Sequence, residues 1–469
     1  MPRSHVFPAA RQFYPIAIVA LLAVVLALIF ARNLIDFPVY YAAGRSLLNG
    51  RSDLYAPDFA RGQTMDYRYP PFFIVALVPL WLMPYKIAAY LWCCFGVLEA
   101  ALCMSLVKRA YRRRLKTSLA SEGVSPIAWV LVALAVGQYY VMILHYGNAH
   151  LAAVALLFGS LYLFMKRKES TAALLISLAI TIKLTPILLL PYFALKRRWK
   201  FLTLTAVFLA AINLAPMFYF GFSANAELLQ GWYQRVVASQ EYHEINGPIN
   251  LSLKGQSRRY LTHVEYDQRT DGDTHYPQVN IASLRTASAD RIWLALSSGA
   301  FIFCLGLIWR ATRARTSQPD ATAVESAAET RRVSEYEDSS TEMLELGLMI
   351  CLMLLVGPLT SKIYFIALLW PAACLTFGES RAEMSGKNLD GKISFGWIGI
   401  LIISAAGLVL PLLPGRSVQR LFLAVGVDFY VNLFVLLLTA RALLALSKRE
   451  TPARSGASQN RSPRSARAS

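Results

Sequence analysis

The sequence predicts an all-α polytopic membrane protein, with about twelve transmembrane helices joined by polar loops. Three observations predict it. Hydrophobic residues make up 56% of the 469-residue chain. Charged residues make up only 16%, where an average soluble protein has about a quarter. The apolar residues gather in runs of about 20, the length that spans a bilayer, rather than scattering. Together these exclude a soluble enzyme with one anchor, a secreted disulfide scaffold and a disordered regulator. The net charge of +19 invites nucleic acid as a partner, but its placement argues against that. The cations cluster between apolar blocks, at Lys108 to Lys116, Lys166 to Lys168, Lys196 to Lys200 and beyond Lys448, which is how a chain threaded through a bilayer marks its cytoplasmic loops. The partner is therefore the lipid bilayer, and no nucleic acid is expected. Cys93, Cys94, Cys103, Cys304, Cys351 and Cys374 all lie inside apolar stretches without zinc-ligand spacing, so no disulfide is predicted.

The elements follow from parity between the basic clusters. Residues 14–31 form an uncleaved first helix running outward, with no small-residue cleavage pattern at its end. Residues 33–70 then lie outside. The piece from Tyr69-Pro70-Pro71 to Pro84 is too short to cross and is expected as a helix lodged at the outer surface or re-entrant. A full span over 85–107 returns inside. Spans over 126–143 and 148–165 enclose a short outer turn. The stretch 171–195 has basic clusters at both ends, and Lys183, Thr185 and Pro186 break it, so two half-length helices meeting at a polar break are expected. Spans follow at 201–220, 290–310, 342–357, 362–378, 395–413 and 420–446. Parity puts the polar segment 221–288 outside, and puts the polar loop 311–341 and the tail 447–469 inside, both expected to be disordered. Residues 1–446 thus form one transmembrane domain, with both termini cytoplasmic. No inverted internal repeat is evident.

Chemistry is expected on the outer face, where the mixed polar segments lie. Asp36, among apolar and aromatic neighbours at the end of the first helix, is a candidate general base, because a carboxylate at the membrane edge is costly without a role or partner. The alternative is a helix cap before Phe37-Pro38. Asp53, Asp58 and Asp66 read as turn and cap residues. Lys254, Arg258 and Arg259 place three cations on the outer face against the positive-inside habit, and Arg and Lys hold phosphates. The alternative is a solvated amphipathic helix. Lys183, inside an apolar stretch, and Lys362, at an outer helix junction, are the other candidate phosphate ligands. His145, Asn148 and His150 cluster at the short outer turn. With Tyr40 and Arg68 of the first outer segment, and Asn250 and His263 of the second, they are the candidate substrate-binding residues. His243 reads as a surface residue, and Asn250-Leu251-Ser252 also matches a glycosylation acceptor. Asp271-Gly272-Asp273 matches a metal–nucleotide D-x-D but sits in a turn-like context, so neither a metal nor another cofactor is expected. No phosphate-cradling G-x-x-x-x-G-K-[ST], H-E-x-x-H, G-x-S-x-G or dinucleotide fingerprint is present. A group transfer at the outer face must then draw on an activated donor already in the membrane.

Several segments resemble bacterial membrane glycosyltransferases of the GT-C type, in particular glycosyltransferase family 87. They are D-F-P-V-Y-Y-A-A-G-R-S-L-L-N-G-R-S-D-L-Y (36–55), Y-P-P-F-F-I-V-A-L-V-P-L (69–80), the turn Tyr146-Gly147-Asn148, A-I-T-I-K-L-T-P-I-L-L-L-P-Y (179–192) and N-L-S-L-K-G (250–255). The resemblance implies a GT-C fold in a bacterial cytoplasmic (inner) membrane, with its active site facing outside. It implies a polyprenyl-phosphate-linked sugar donor, with mannose the expected hexose, and a glycan or glycolipid acceptor. Asp36 matches the family's catalytic base, and Lys183, Lys254 and Arg258 match its donor-phosphate region. The chain departs from the family at Thr360-Ser361-Lys362-Ile363-Tyr364, where relatives often carry paired histidines. A transporter or flippase of a lipid-linked or amphiphilic substrate is the alternative, and a scaffold without catalysis a third reading. A transferase needs its reactive groups at one face, whereas a transporter needs a central site reachable from both.

Overall fold

The computed structural model describes residues 8–50, 54–55, 67–116, 126–238, 247–263, 276–316, 327–377, 399, 402 and 416–449. Asp53, Asp58, Asp66, His243, the Asp271–Asp273 pair, most of the expected span 395–413 and the tail beyond 449 lie outside them.

The described residues form a bundle of α-helices with short 3₁₀ and π turns. Helix α1 (Pro8–Phe30) is the first apolar run, and α2 (Phe37–Leu48) follows with Pro38 in its first turn, where a missing N–H costs nothing. The expected surface piece is two short helices, α3 (Pro71–Ala76) and α4 (Val78–Leu82), each with a proline in its first turn. Next come α5 (Tyr85–Lys116), α6 (Pro126–Tyr146) and α7 (His150–Met165). Helix α8 (Glu169–Ile182) ends at Lys183, whose backbone is extended at φ −141° and ψ 123°. Pro186 and its steric effect on Thr185 forbid continuation. A 3₁₀ turn (Thr185–Leu189) then leads to α9 (Leu190–Leu195), so the expected polar break is present. Helices α10 (Trp199–Leu214), α11 (Met217–Phe220) and α12 (Phe222–Trp232) follow, and α13 (Leu253–Leu261) lies in the second outer segment.

Two expectations change in the last third. The loop 311–341 is not structureless: α14 (Thr286–Thr316) and α15 (Ala327–Val356) extend into it from both sides. Its Ala, Glu and Arg residues are good helix formers, so the helix outruns its apolar portion. A 3₁₀ turn (Lys362–Leu368) and α16 (Leu369–Phe377) come next. The final span is split into α17 (Arg416–Val425) and α18 (Val427–Arg449) at Gly426, whose φ of 78° is left-handed. Among the described residues, five segments are long and apolar enough to cross a membrane unaided: Tyr85–Tyr111, Trp129–Tyr146, Trp199–Phe220, Thr286–Arg313 and Val427–Ala445. Shorter apolar segments among the described residues are Ile18–Phe30, His150–Met165, Glu169–Ile182, Thr185–Leu195 and Lys362–Thr376, and the count of about twelve crossings stays an expectation from the sequence.

Among the described residues, two large hydrophobic cores and a small third cluster of Ala23, Val97 and Leu144 organise the chain. The largest runs through α5–α8, α10, α15, α16 and α18. The second joins α2, α3, α4 and the first turns of α5 around fully buried Phe37 and Trp81. The indole Nε1 of Trp81 donates to the Ile74 carbonyl at 2.8 Å, and its ring lies directly against Gly44 of α2, where a Cβ would clash. Gly44→Ala therefore forces α2 and α4 apart. The expected result is a loss of about 1–3 kcal/mol, measured as a lower thermal midpoint in detergent. The six cysteines, Cys93, Cys94, Cys103, Cys304, Cys351 and Cys374, are thiols outside any disulfide.

The bundle separates two ends. Lys166–Lys168 sit at the α7–α8 turn and Lys196–Lys200 at the α9–α10 turn, each turn made by an arginine with positive φ (Arg167 and Arg197). The α6–α7 turn and the end of α8 lie at the other end. Helix α7 has 16 residues, which sets these ends about 24 Å apart at 1.5 Å per residue.

Candidate active site

The site begins with the α6–α7 turn. Gly147 takes φ 63°, and with Leu34 and Phe37 within about van der Waals reach no side chain fits there. The turn points the Tyr146 carbonyl at the start of α2, where it accepts from the backbone N–H groups of Ile35 (3.2 Å) and Asp36 (2.8 Å). Asp36 is the N-cap residue of α2, as the capping alternative expects, but its carboxylate makes no capping hydrogen bond to that helix. Asn148 Nδ2 donates to its Oδ2 at 2.6 Å. The Asn148 Oδ1 in turn accepts from the His150 backbone N–H at 2.8 Å, an otherwise orphan donor in the first turn of α7. The α6–α7 turn thus orients a buried carboxylate, 6% exposed.

A cavity of about 110 Å³ adjoins this carboxylate. It is lined by Asp36, Tyr40, Arg68, Tyr69, Asn148, Lys183 and Tyr364, with apolar side chains including Ile249, Leu359 and Ile363 closing it. Lys183 arrives because α8 stops there. Its Nζ donates to the Tyr364 hydroxyl at 2.9 Å and lies 5.2 Å from the Tyr69 ring and 5.0 Å from the Tyr364 ring, a favourable setting for a cation. The Tyr40 and Tyr69 hydroxyls are 2.8 Å apart. Burial holds the Tyr40 phenol well above its ordinary pKa, helped by Tyr69 and Asp36. Burial raises that of Tyr69 too, with the Lys183 charge opposing. Both phenols are therefore neutral hydrogen-bonding groups at physiological pH. A second cavity, about 170 Å³ and mostly apolar, lies between α3, α5, α6 and α7, and Asn148 lines both.

Of the residues singled out in the sequence, the structure brings Asp36, Tyr40, Arg68, Asn148 and Lys183 to one cavity. It places the others elsewhere. Arg258 forms a two-point ion pair with Asp290, at 2.8 and 2.7 Å, and Lys254 faces the Trp293 ring at 4.8 Å. Lys362 pairs with Asp428 at 3.7 Å, although its neighbours Ser361 and Ile363 line the cavity. His150 is buried and stacks on Tyr364, ring centroids 4.2 Å apart, so it backs the tyrosine that holds Lys183. Asn250 is fully buried. Its Nδ2 donates to the Pro358 carbonyl and its Oδ1 accepts from the Ser252 and Thr360 N–H groups, tying the second outer segment to the Pro358–Thr360 junction. That also removes it as a glycosylation acceptor. His145 and His263 are exposed and line neither cavity. Tyr69 and Tyr364 are the site residues that residue-by-residue reading passed over. The signal for Tyr364 was its place in the segment that departs from the family's histidines.

Asn148 is a candidate positioning residue, because it holds the carboxylate of the candidate base Asp36. Asn148→Ala frees the Asp36 carboxylate to rotate. The expected result is a fall in kcat of about 10- to 100-fold with donor affinity unchanged, checked by steady-state kinetics beside equilibrium donor binding.

Among the described residues no three His, Cys, Asp or Glu side chains cluster as metal ligands. The arrangement can take a proton at Asp36 and hold negative charge at Lys183, within one cavity. No curated protein matches the chain. A family profile, that of glycosyltransferase family 87, matches residues 67–331, which include Tyr69, Asn148 and Lys183 and exclude Asp36 and Tyr364. The match covers more than half of the sequence, and the chain belongs to glycosyltransferase family 87.

Proposed function

We propose that this membrane glycosyltransferase transfers a hexose, mannose in the first instance, from a polyprenyl phosphate to a hydroxyl of a glycan or glycolipid. The reaction takes place at the outer face of a bacterial cytoplasmic membrane, on a GT-C fold. The observation that carries the reading is that Asp36 and Lys183 line one cavity. Asp36 removes the acceptor hydroxyl proton as that oxygen bonds to the anomeric carbon. The bond from that carbon to the donor phosphate breaks, and the phosphate leaves with the electron pair, one negative charge richer. Lys183 stands where that charge develops, so its attraction grows toward the transition state. One displacement inverts the anomeric carbon.

Sidedness follows from charge. The cavity lies at the end of α7 and α8 opposite Lys166–Lys168 and Lys196–Lys200, and basic turns stay in the cytoplasm. The transporter reading is less well supported, because the reactive pair sits at one end of the bundle. The test offers purified protein in lipid a panel of donors: polyprenyl-phosphate mannose, polyprenyl-phosphate glucose and a nucleotide-activated mannose, each with a lipid extract of the host. Product from a polyprenyl-phosphate sugar alone supports the assignment. Product from the nucleotide sugar alone contradicts it.

A further inference from the structure

Lys254 is the candidate phosphate ligand left without a role by the cavity. It is 5% exposed on α13, and its Nζ lies over the Trp293 ring of α14 at 4.8 Å. Four residues further along α13, Arg258 holds Asp290, which precedes Trp293 on α14. The two helices therefore run antiparallel, and the Asp290 carboxylate, whose charge reaches Lys254, is already committed to Arg258. Burial pulls the Lys254 pKa down, and Arg258 adds to the effect against Asp290, as expected of a cation short of negative charge.

Two polar atoms belong to the α14 face that carries Trp293, the ring Lys254 meets. Trp293 Nε1 and Ser297 Oγ are buried, and neither has a hydrogen-bond partner among the described residues. Four residues apart, their side chains share one helix face with Cβ atoms about 6 Å from each other. An indole N–H can only donate, an ammonium only donates, and a hydroxyl can do so. A positive charge with two uncommitted donors is complementary to a phosphate oxygen. The flanking residues Leu294 and Leu296 are more than half exposed on a helix apolar enough to span the bilayer, so the place is approached through lipid chains.

We propose that Lys254, Trp293 and Ser297 form a binding site for the anionic phosphate headgroup of a membrane lipid, entered sideways from the bilayer along α14 and separate from the cavity of Asp36 and Lys183. The lipid fastens α13 to α14. Because the Leu251 N–H just before α13 donates to the Thr360 carbonyl at 2.7 Å, it also steadies the Ile249 and Leu359 wall of the cavity. The site does not depend on the transfer reaction.

The test titrates the full-length protein in neutral detergent with dioleoylphosphatidylglycerol, with dioleoylglycerol and with inorganic phosphate, counting bound lipid by native mass spectrometry. Saturable binding of the phospholipid is expected, weakened about tenfold or more by Lys254→Met and several-fold by Ser297→Ala. Dioleoylglycerol bound equally well overturns the site, since the chains alone would then account for binding. Inorganic phosphate displacing the lipid completely makes it a free-anion site and overturns it as a lipid site. Unchanged affinity in both variants overturns it as well, as does unchanged affinity in Ser297→Ala alone should Lys254→Met fail to fold, because that substitution leaves α13 untouched.

Discussion

Asp36→Asn lowers transfer by about 10²- to 10⁴-fold, the range a positioned general base contributes, and leaves donor binding near that of the unaltered protein. The reasons are local. The amide keeps the shape of the carboxylate, and the backbone bonds from Ile35 and Asp36 to the Tyr146 carbonyl do not involve the side chain. On the proposed mechanism, what is lost is the ability to take the acceptor's proton. The substitution removes a buried charge, so the thermal midpoint does not fall. Asp36→Glu keeps the charge but moves it by one methylene, and a displacement of about 1 Å is enough for a loss of about a hundredfold. The check is single-turnover transfer beside equilibrium donor binding. A deficit confined to binding would show that Asp36 holds the donor rather than activates the acceptor.

Lys183→Met lowers transfer about 10²- to 10³-fold, the cost of removing one preorganised group at a developing negative charge. It weakens the donor's ground-state binding as well, because the phosphate is anionic before the reaction. The kcat effect exceeds the binding effect, since the phosphate gains a further charge as it leaves. Methionine keeps most of the stem's length, so packing between the Tyr69 and Tyr364 rings survives. Lys183→Arg does not restore the rate: a planar guanidinium does not reproduce a compact ammonium donating to the Tyr364 hydroxyl. Full kinetic analysis of both variants checks this. An equal loss in kcat/KM with kcat untouched would mean that Lys183 acts in binding alone.

The fold was legible where one stretch of sequence decides one element. Apolar runs gave α1, α5, α6 and α7, and Lys183 with Thr185-Pro186 announced the break after α8, because proline acts on its immediate neighbours. Asp36 was legible as a candidate for a similar reason, as an acid stranded at the end of an apolar run, and the structure places it at the cavity. Partnerships across the chain were not. Lys183 meets Tyr364 at a separation of 181 residues, and Asp36 meets Asn148 at 112. No local periodicity encodes such pairs. Lys362 and Arg258 looked equally suited to phosphate, but each has its own carboxylate, Asp428 and Asp290, and those acids were unremarked inside or beside apolar runs. The helix expected to offer its cations to the outer face instead buries residues 254–259, since antiparallel packing against α14 supplies one ion pair and one aromatic face.

The most direct measurement supplies purified protein in lipid with radiolabelled polyprenyl-phosphate mannose and a lipid extract of its own host, with Asp36→Asn alongside. Label should pass to a new glycolipid or glycan with the unaltered protein and stay on the donor with the variant. Transfer at near the unaltered rate by Asp36→Asn, or none from this or any other lipid-phosphate sugar by a folded protein, would contradict the account and turn attention to transport of such a lipid.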